Sequence, residues 1–147
     1  MVGESWKIYW NEYAKNTYIY GSEVSFHAKD DVEFKNMLMP PGTVIKRWFS
    51  KTNFQAMGIE PSLPMIDGEG RYHISLNATS IKPEGLIMKL VYYDRYDTEA
   101  GSQIIRDGEG YFQCPLKSYS YEVQLINAGI TDFHFHNFTI KEIIDDE

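Results

Sequence analysis

The last third of the chain narrows most sharply what it can fold into. From Tyr119 the odd positions read Tyr119, Tyr121, Val123 and Leu125, with Ser120, Glu122 and Gln124 between them. Strand side chains alternate faces with a period of two, so this run predicts a strand with one dry and one wet face. Asn127-Ala128-Gly129 interrupts it and a second strand follows. There Phe133 and Phe135 share one parity, whereas Phe138 and Ile140 share the other. One extra residue flips every later side chain, so the switch near His136-Asn137 predicts a β-bulge.

The same pattern runs through the rest of the chain. Trp6, Ile8 and Trp10 alternate with Lys7, Tyr9 and Asn11, and Tyr18, Tyr20, Ser22, Val24 and Phe26 repeat it after Lys15-Asn16. Asp30-Asp31 reads as a turn into a strand at Val32 to Phe34. Pro40-Pro41-Gly42 is a breaker, because proline fixes φ and has no N–H to donate. Val44 to Phe49 is again extended, while Ala56 to Leu63 is the least strand-like stretch. Further on, Tyr72, Ile74, Leu76 and Ala78 oppose His73, Ser75, Asn77 and Thr79. Leu86 to Tyr93 is apolar on both parities except at Lys89, which predicts a strand covered on both faces. Asp107-Gly108 precedes a short strand at Tyr111 to Cys114. Asp-Gly-Glu-Gly occurs at 67–70 and 107–110, but the flanks align poorly, so these are two similar turns and not a repeat. Asp145-Asp146-Glu147 reads as a frayed tail. About nine or ten strands without an amphipathic helix predict one all-β domain over residues 1–147, an antiparallel β-sandwich of jelly-roll type, with a Greek-key barrel as the alternative.

Composition removes whole classes of function. At 147 residues the chain can bury roughly 68–70% of its unfolded surface. The net charge is −7 and no basic cluster exceeds Lys46-Arg47, which repels nucleic acid. A single Cys114 cannot form an internal disulfide and suits a reducing compartment. Met1 to Ser5 lacks the basic start and apolar core of a secretory signal, and the most apolar run, Gly85 to Tyr93, is too short to span a membrane. A soluble, intracellular protein is expected. The triplets Asn77-Ala78-Thr79 and Asn137-Phe138-Thr139 match the glycosylation pattern but fall inside predicted strands, and are read as chance.

His134-Phe135-His136 is the sharpest candidate for chemistry, because histidines at i and i+2 share a strand face and could share a metal. With Gly129 before and Glu142 after, the segment resembles the first motif of the cupins, but the spacing is off at both ends. The cupin pattern also needs a later histidine strand, and only five residues follow Glu142. Two polar-face histidines and no metal are the expectation, with a metal-dependent cupin-like enzyme using His134 and His136 as the rival. There is no Gly-x-Ser-x-Gly elbow, and Cys114 reads as a buried, inert thiol. Asp94, Asp97 and Glu99 supply oxygens suited to Ca²⁺ but read as a solvated loop. No catalytic residue and no cofactor are expected. Sugars stack on aromatic faces while amides and charges take their hydroxyls, and the segment from Arg47 to Gln55 offers both. Arg47, Trp48, Asn53 and Gln55 are therefore the candidate glycan or partner contacts, against the competing reading that Trp48 is core.

Phe34-Lys35-Asn36-Met37-Leu38-Met39-Pro40-Pro41-Gly42-Thr43-Val44-Ile45, followed by Trp48, Ser50, Asn53 and Gln55, resembles the smallest of the three accessory secretory proteins of the accessory Sec system. Tyr18-Ile19-Tyr20-Gly21-Ser22, Pro83-Glu84-Gly85 leading to Tyr93-Asp94-Arg95, and Tyr119-Ser120-Tyr121 through Gly129 fit the same family. Pro41 departs from the small polar residue expected there, which alters only a turn. The resemblance implies a fold like a carbohydrate-binding module and no catalysis. It implies a cytoplasmic complex, at most peripheral to the membrane, with two larger accessory secretory proteins. One of these is glycosyltransferase-like and the other acetyltransferase-like. It further implies a role in modifying and exporting serine-rich repeat adhesins of Gram-positive bacteria, delivered to an accessory Sec motor ATPase. N-acetylglucosamine-type glycans are an implied ligand class. A homodimer and a free-standing carbohydrate-binding module stay open beside this reading.

Overall fold

The structure is a computed structural model that describes residues 4–10, 21–50, 63, 70–80, 85–96, 98–116 and 118–143. Among these residues ten strands form: β1 Ser5–Ile8, β2 Glu23–Ala28, β3 Asp31–Lys35, β4 Val44–Phe49, β5 Arg71–Thr79, β6 Leu86–Tyr93, β7 Glu99–Ile105, β8 Glu109–Gln113, β9 Ser120–Asn127 and β10 Asp132–Glu142. They pair antiparallel in two sheets, one ordered β2-β3-β10-β5-β8 with β1 also on β10, the other β4-β9-β6-β7. The orders 3-10-5-8 and 4-9-6-7 are those of a jelly roll, so the predicted β-sandwich is the fold. No helix among the described residues is long and apolar enough to cross a membrane.

The bulge predicted near His136 is there. Phe135 pairs with Ala78 and Asn137 with Asn77, which leaves His136 as the extra residue. The register shift lets Phe133, Phe135, Phe138 and Ile140 all point inward, each essentially buried. They meet Trp48 from the other sheet. Its ring stacks on Phe135 at 5.4 Å and stands edge-on to Phe138 at 4.9 Å, while its indole N–H donates to the Tyr9 carbonyl at 3.1 Å. Trp10 closes the cluster against Phe34, Trp48, Phe133 and Phe135.

Three expectations need correction. Strand β9 is dry on both faces: Glu122 and Gln124 are buried along with Tyr121, Val123 and Leu125. The strand lies between β4 and β6, and side chains of both neighbours close over its polar parity. Tyr119 precedes the strand and is exposed. The strand β7 was not legible, because Glu99 to Ile105 lacks alternation; it is an edge strand bonded only to β6 and buries little. Tyr18, Tyr20, most of the Ala56–Leu63 stretch, the first Asp-Gly-Glu and the acidic tail lie outside the described residues. The second copy turns through Asp107 (φ 62°) and Gly108 (φ 79°), carrying the chain from one sheet to the other.

A second irregularity lies in β4. Val44 pairs with Ile126 and Lys46 with Leu125, so a bulge at Ile45 turns Lys46 onto the core face. Lys46 is 1% exposed, its ammonium 5.6 Å from the centroid of the Trp48 ring, and no described carboxylate pairs with it. Burial pushes its pKa down to about 8. Between that value and the ordinary 10.5 the folded chain has released a proton that the unfolded chain keeps, so stability rises with pH across this window. Lys46→Met is expected to abolish that rise and to stabilise the fold at pH 7 by about 1–3 kcal/mol, measured by urea unfolding from pH 7 to 10.

Candidate functional site

The best-built polar cluster lies on the outer face of the second sheet. Register places Arg47 beside Gln124 and Phe49 beside Glu122, with Val91 across from Glu122 on β6. The Glu122 side chain is 2% exposed although it faces away from the core. Its Oε1 accepts from the Tyr93 hydroxyl at 2.7 Å; its Oε2 accepts from Arg47 Nη1 and from Gln124 Nε2, each at 2.8 Å. Charge-assisted bonds of this length are the strong ones, and they offset the cost of burying the carboxylate. Burial and the bond to Glu122 hold the Tyr93 hydroxyl protonated, well above the ordinary phenol range. The cluster braces three strands and leaves the Arg47 side chain 44% exposed as its outward charge.

The candidate contacts separate. Arg47 is on this face. Trp48 alternates to the other side and is 3% exposed in the aromatic core, so no sugar face can stack on it. Position parity decided between the two readings: Trp48 pairs with Val123 and shares its buried face. Asn53 and Gln55 lie outside the described residues. Glu122 and Tyr93 were missed. No local pattern marks them, because β9 is covered on its polar parity only through its pairing with both β4 and β6.

The histidines share a face without sharing a site. His134 Nδ1 donates to Asp31 Oδ1 at 2.8 Å, which holds the Asp31 carboxyl below its ordinary 3.8. His136, on the bulge, donates from Nδ1 to the Asp30 carbonyl at 2.7 Å and accepts at Nε2 from the Thr79 hydroxyl at 2.9 Å. Among the described residues no three His, Cys, Asp or Glu converge so as to hold a metal ion. Asp94 turns back on its own loop, accepting from Tyr96 N–H at 2.8 Å and Thr98 N–H at 3.0 Å, while Asp97 lies outside the described residues. Cys114 is buried and its thiol pushed up to about 12 by desolvation. Asn77 and Asn137 face each other on β5 and β10.

Substitution separates the roles. Glu122→Ala strips Arg47, Tyr93 and Gln124 of their common acceptor and is expected to cost about 3–5 kcal/mol in denaturant unfolding. Trp48→Ala leaves a cavity between the sheets and is expected to cost about 3–5 kcal/mol, without a selective effect on sugar binding in calorimetry. Cys114 is expected to react with an aromatic disulfide reagent only at the rate of unfolding.

The chain has close relatives. The family model described as accessory Sec secretory system ASP3 matches residues 17–142. An accessory Sec system ASP3 protein of Streptococcus gordonii is 38% identical over 130 residues, spanning 88% of this chain and 82% of that protein. The crystal structure of accessory secretory proteins 1, 2 and 3 in Streptococcus pneumoniae holds a chain that superposes with a TM-score of 0.88 at 34% identity, over 94% of this chain and 96% of that one. A Clostridium thermocellum xylanase solved with its carbohydrate-binding module and xylohexaose is similar in fold alone, with a TM-score of 0.50 and 12% identity over 96% of this chain and 27% of that one. With 126 of its 147 residues inside the family model, this jelly-roll chain belongs to the accessory Sec secretory system ASP3 family.

Proposed function

We propose that the chain is a non-catalytic subunit of a cytoplasmic accessory Sec complex, binding two larger accessory secretory proteins and supporting the modification and export of serine-rich repeat adhesins. The observation that carries this reading is the superposition on a chain of the pneumococcal structure of accessory secretory proteins 1, 2 and 3. That superposition covers 94% of this chain and 96% of that one at 34% identity. The non-catalytic half of the reading is supported by how the polar clusters are used. Glu122, Asn127 and His136 each spend their hydrogen-bonding atoms inside the fold, as braces between strands and turns. Delivery to a motor ATPase belongs to the same reading.

Weak glycan contact is the secondary reading. The exposed Arg47 guanidinium favours it, with Asn53 and Gln55 following in the chain; Trp48 no longer takes part. A tagged chain expressed with both larger accessory proteins is expected to recover them in fixed proportion, with adhesin in substoichiometric amount. Recovery of the chain alone would overturn the subunit reading. Calorimetry with N-acetylglucosamine-bearing peptide, comparing wild type with Arg47→Ala, decides the glycan reading: equal heats from the two would remove it.

A further inference from the structure

On the first sheet, His134 of β10 has an acceptor at each of its ring nitrogens. Nδ1 lies 2.8 Å from Asp31 Oδ1 and Nε2 lies 3.8 Å from Glu33 Oε2, both carboxyls belonging to β3. Those carboxyls are held below their ordinary 3.8 and 4.5, Asp31 chiefly by the bond from His134 and Glu33 chiefly by bonds from His27 and then Lys35. An ionised carboxylate only accepts, so Nδ1 must donate to Asp31. A neutral ring would then leave its Nε2 lone pair 3.8 Å from a second anion. His136 is placed differently. Its Nδ1 donates to the Asp30 carbonyl and its Nε2 accepts from the Thr79 hydroxyl, one partner of each kind, as a neutral imidazole requires.

The groups around His134 come from three strands. From β2, His27 sits at a bulge, donates from Nε2 to Glu33 Oε1 at 3.1 Å, and stacks on the His134 ring with centroids 6.2 Å apart. From β3, Lys35 Nζ lies 3.2 Å from Glu33 Oε2. From β10 itself His136 acts on Asp31, and β5 places Thr79 opposite His134. Two carboxylates against one lysine leave this cluster one positive charge short. The position matters because β2 is an edge strand bonded only to β3, and β3 pairs with β10 only from Asp132 to Phe135. Side chains from His134 through Glu33 to His27 therefore reinforce a short backbone seam.

We propose that His134 is a proton-operated clasp: doubly protonated, it bridges Asp31 and Glu33 and ties the β2–β3 ribbon to β10, and losing that proton loosens the ribbon. The device goes beyond the subunit role and does not depend on it. The closed ribbon holds a proton that the open one releases, so closure weakens as pH rises through the range in which histidines change charge, roughly 5 to 8. The carboxylates set the acid limit. Because their folded pKa values are lowered, their contribution is present above the ordinary 3.8 and 4.5 and is lost as pH falls through the folded values. The clasp is thus tightest in mildly acidic solution. A divalent cation in place of the proton is the poorer occupant, since among the described residues no three such ligands converge on a common point.

The test uses the full chain, labelled with nitrogen-15. At about pH 7 long-range proton–nitrogen spectra are expected to show both His134 ring nitrogens protonated, and His136 with one protonated and one bare nitrogen. Opening of the β2–β3 ribbon, read by amide hydrogen exchange corrected for hydroxide catalysis, is expected to rise about tenfold between about pH 6 and pH 8. Glu33→Gln keeps the side-chain size but removes the anion near Nε2. It is expected to leave His134 with one ring proton at about pH 7 and to cut the rise in opening below about twofold. His136→Gln is expected to retain the wild-type rise. If Glu33→Gln does not fold, the wild-type spectra decide alone. A singly protonated His134 at that pH, or ribbon opening that does not change with pH, overturns the clasp. Zinc added at one equivalent that moves the ring nitrogens of His27 and His134 together, with the bare-nitrogen signal present before addition, assigns the gap to a metal and also overturns it.

Discussion

The contact on which the rest of the molecule depends is the meeting of Trp48 with Phe135 and Phe138 between the two sheets. A sandwich is stable only if its inner faces interdigitate, and aromatic pairs add a geometric preference to the area they bury. Trp48 reaches that position from β4, a strand that contributes one large ring to a cluster otherwise supplied by β3, β10 and Trp10. The bulge at His136 is the device that makes the meeting work. Without the extra residue, Phe138 and Ile140 would face water and the second half of β10 would have no core side.

Polar groups perform a second task around that core. Glu122 joins β4, β6 and β9 across the outer face of one sheet, and Asn127 ties the β9–β10 turn to the β3–β4 loop, its Oδ1 accepting the N–H groups of Gly129 and Ile130. Buried polar residues used this way set geometry more than they add stability, because much of their gain repays desolvation. The consequence is a frame in which the β3–β4 loop and the β9–β10 turn are held in place. The loop so held carries Met37 and Leu38, both exposed, beside the buried Met39.

Much of the fold was legible, for reasons tied to particular residues. The run from Val44 to Phe49, read as extended after the Pro40-Pro41-Gly42 breaker, is strand β4, and Leu86 to Tyr93 is the doubly covered β6. The parity break at His136-Asn137 located the bulge. What escaped had weak local signals. Strand β7 is an edge strand, so no face of it must be apolar along its length, and its sequence shows no period. The candidate site was legible only in Arg47. Composition placed Trp48 among sugar-binding residues, and its parity, shared with the buried Val123, places it in the core.

The sequence by itself determined the period-two pattern, hence the all-β sandwich, and carried enough family likeness to point to its relatives. These are properties of local spacing and of residues read in order. Tertiary structure alone decided that Glu122 would be buried, that Lys46 would face the core, and that Met37 and Leu38 would stand in water beside a buried Met39. Each of those outcomes depends on which strands become neighbours and where a bulge shifts the register. Strand pairing joins residues such as Arg47 and Gln124, 77 positions apart, and no local pattern specifies what such a residue meets across the sheet.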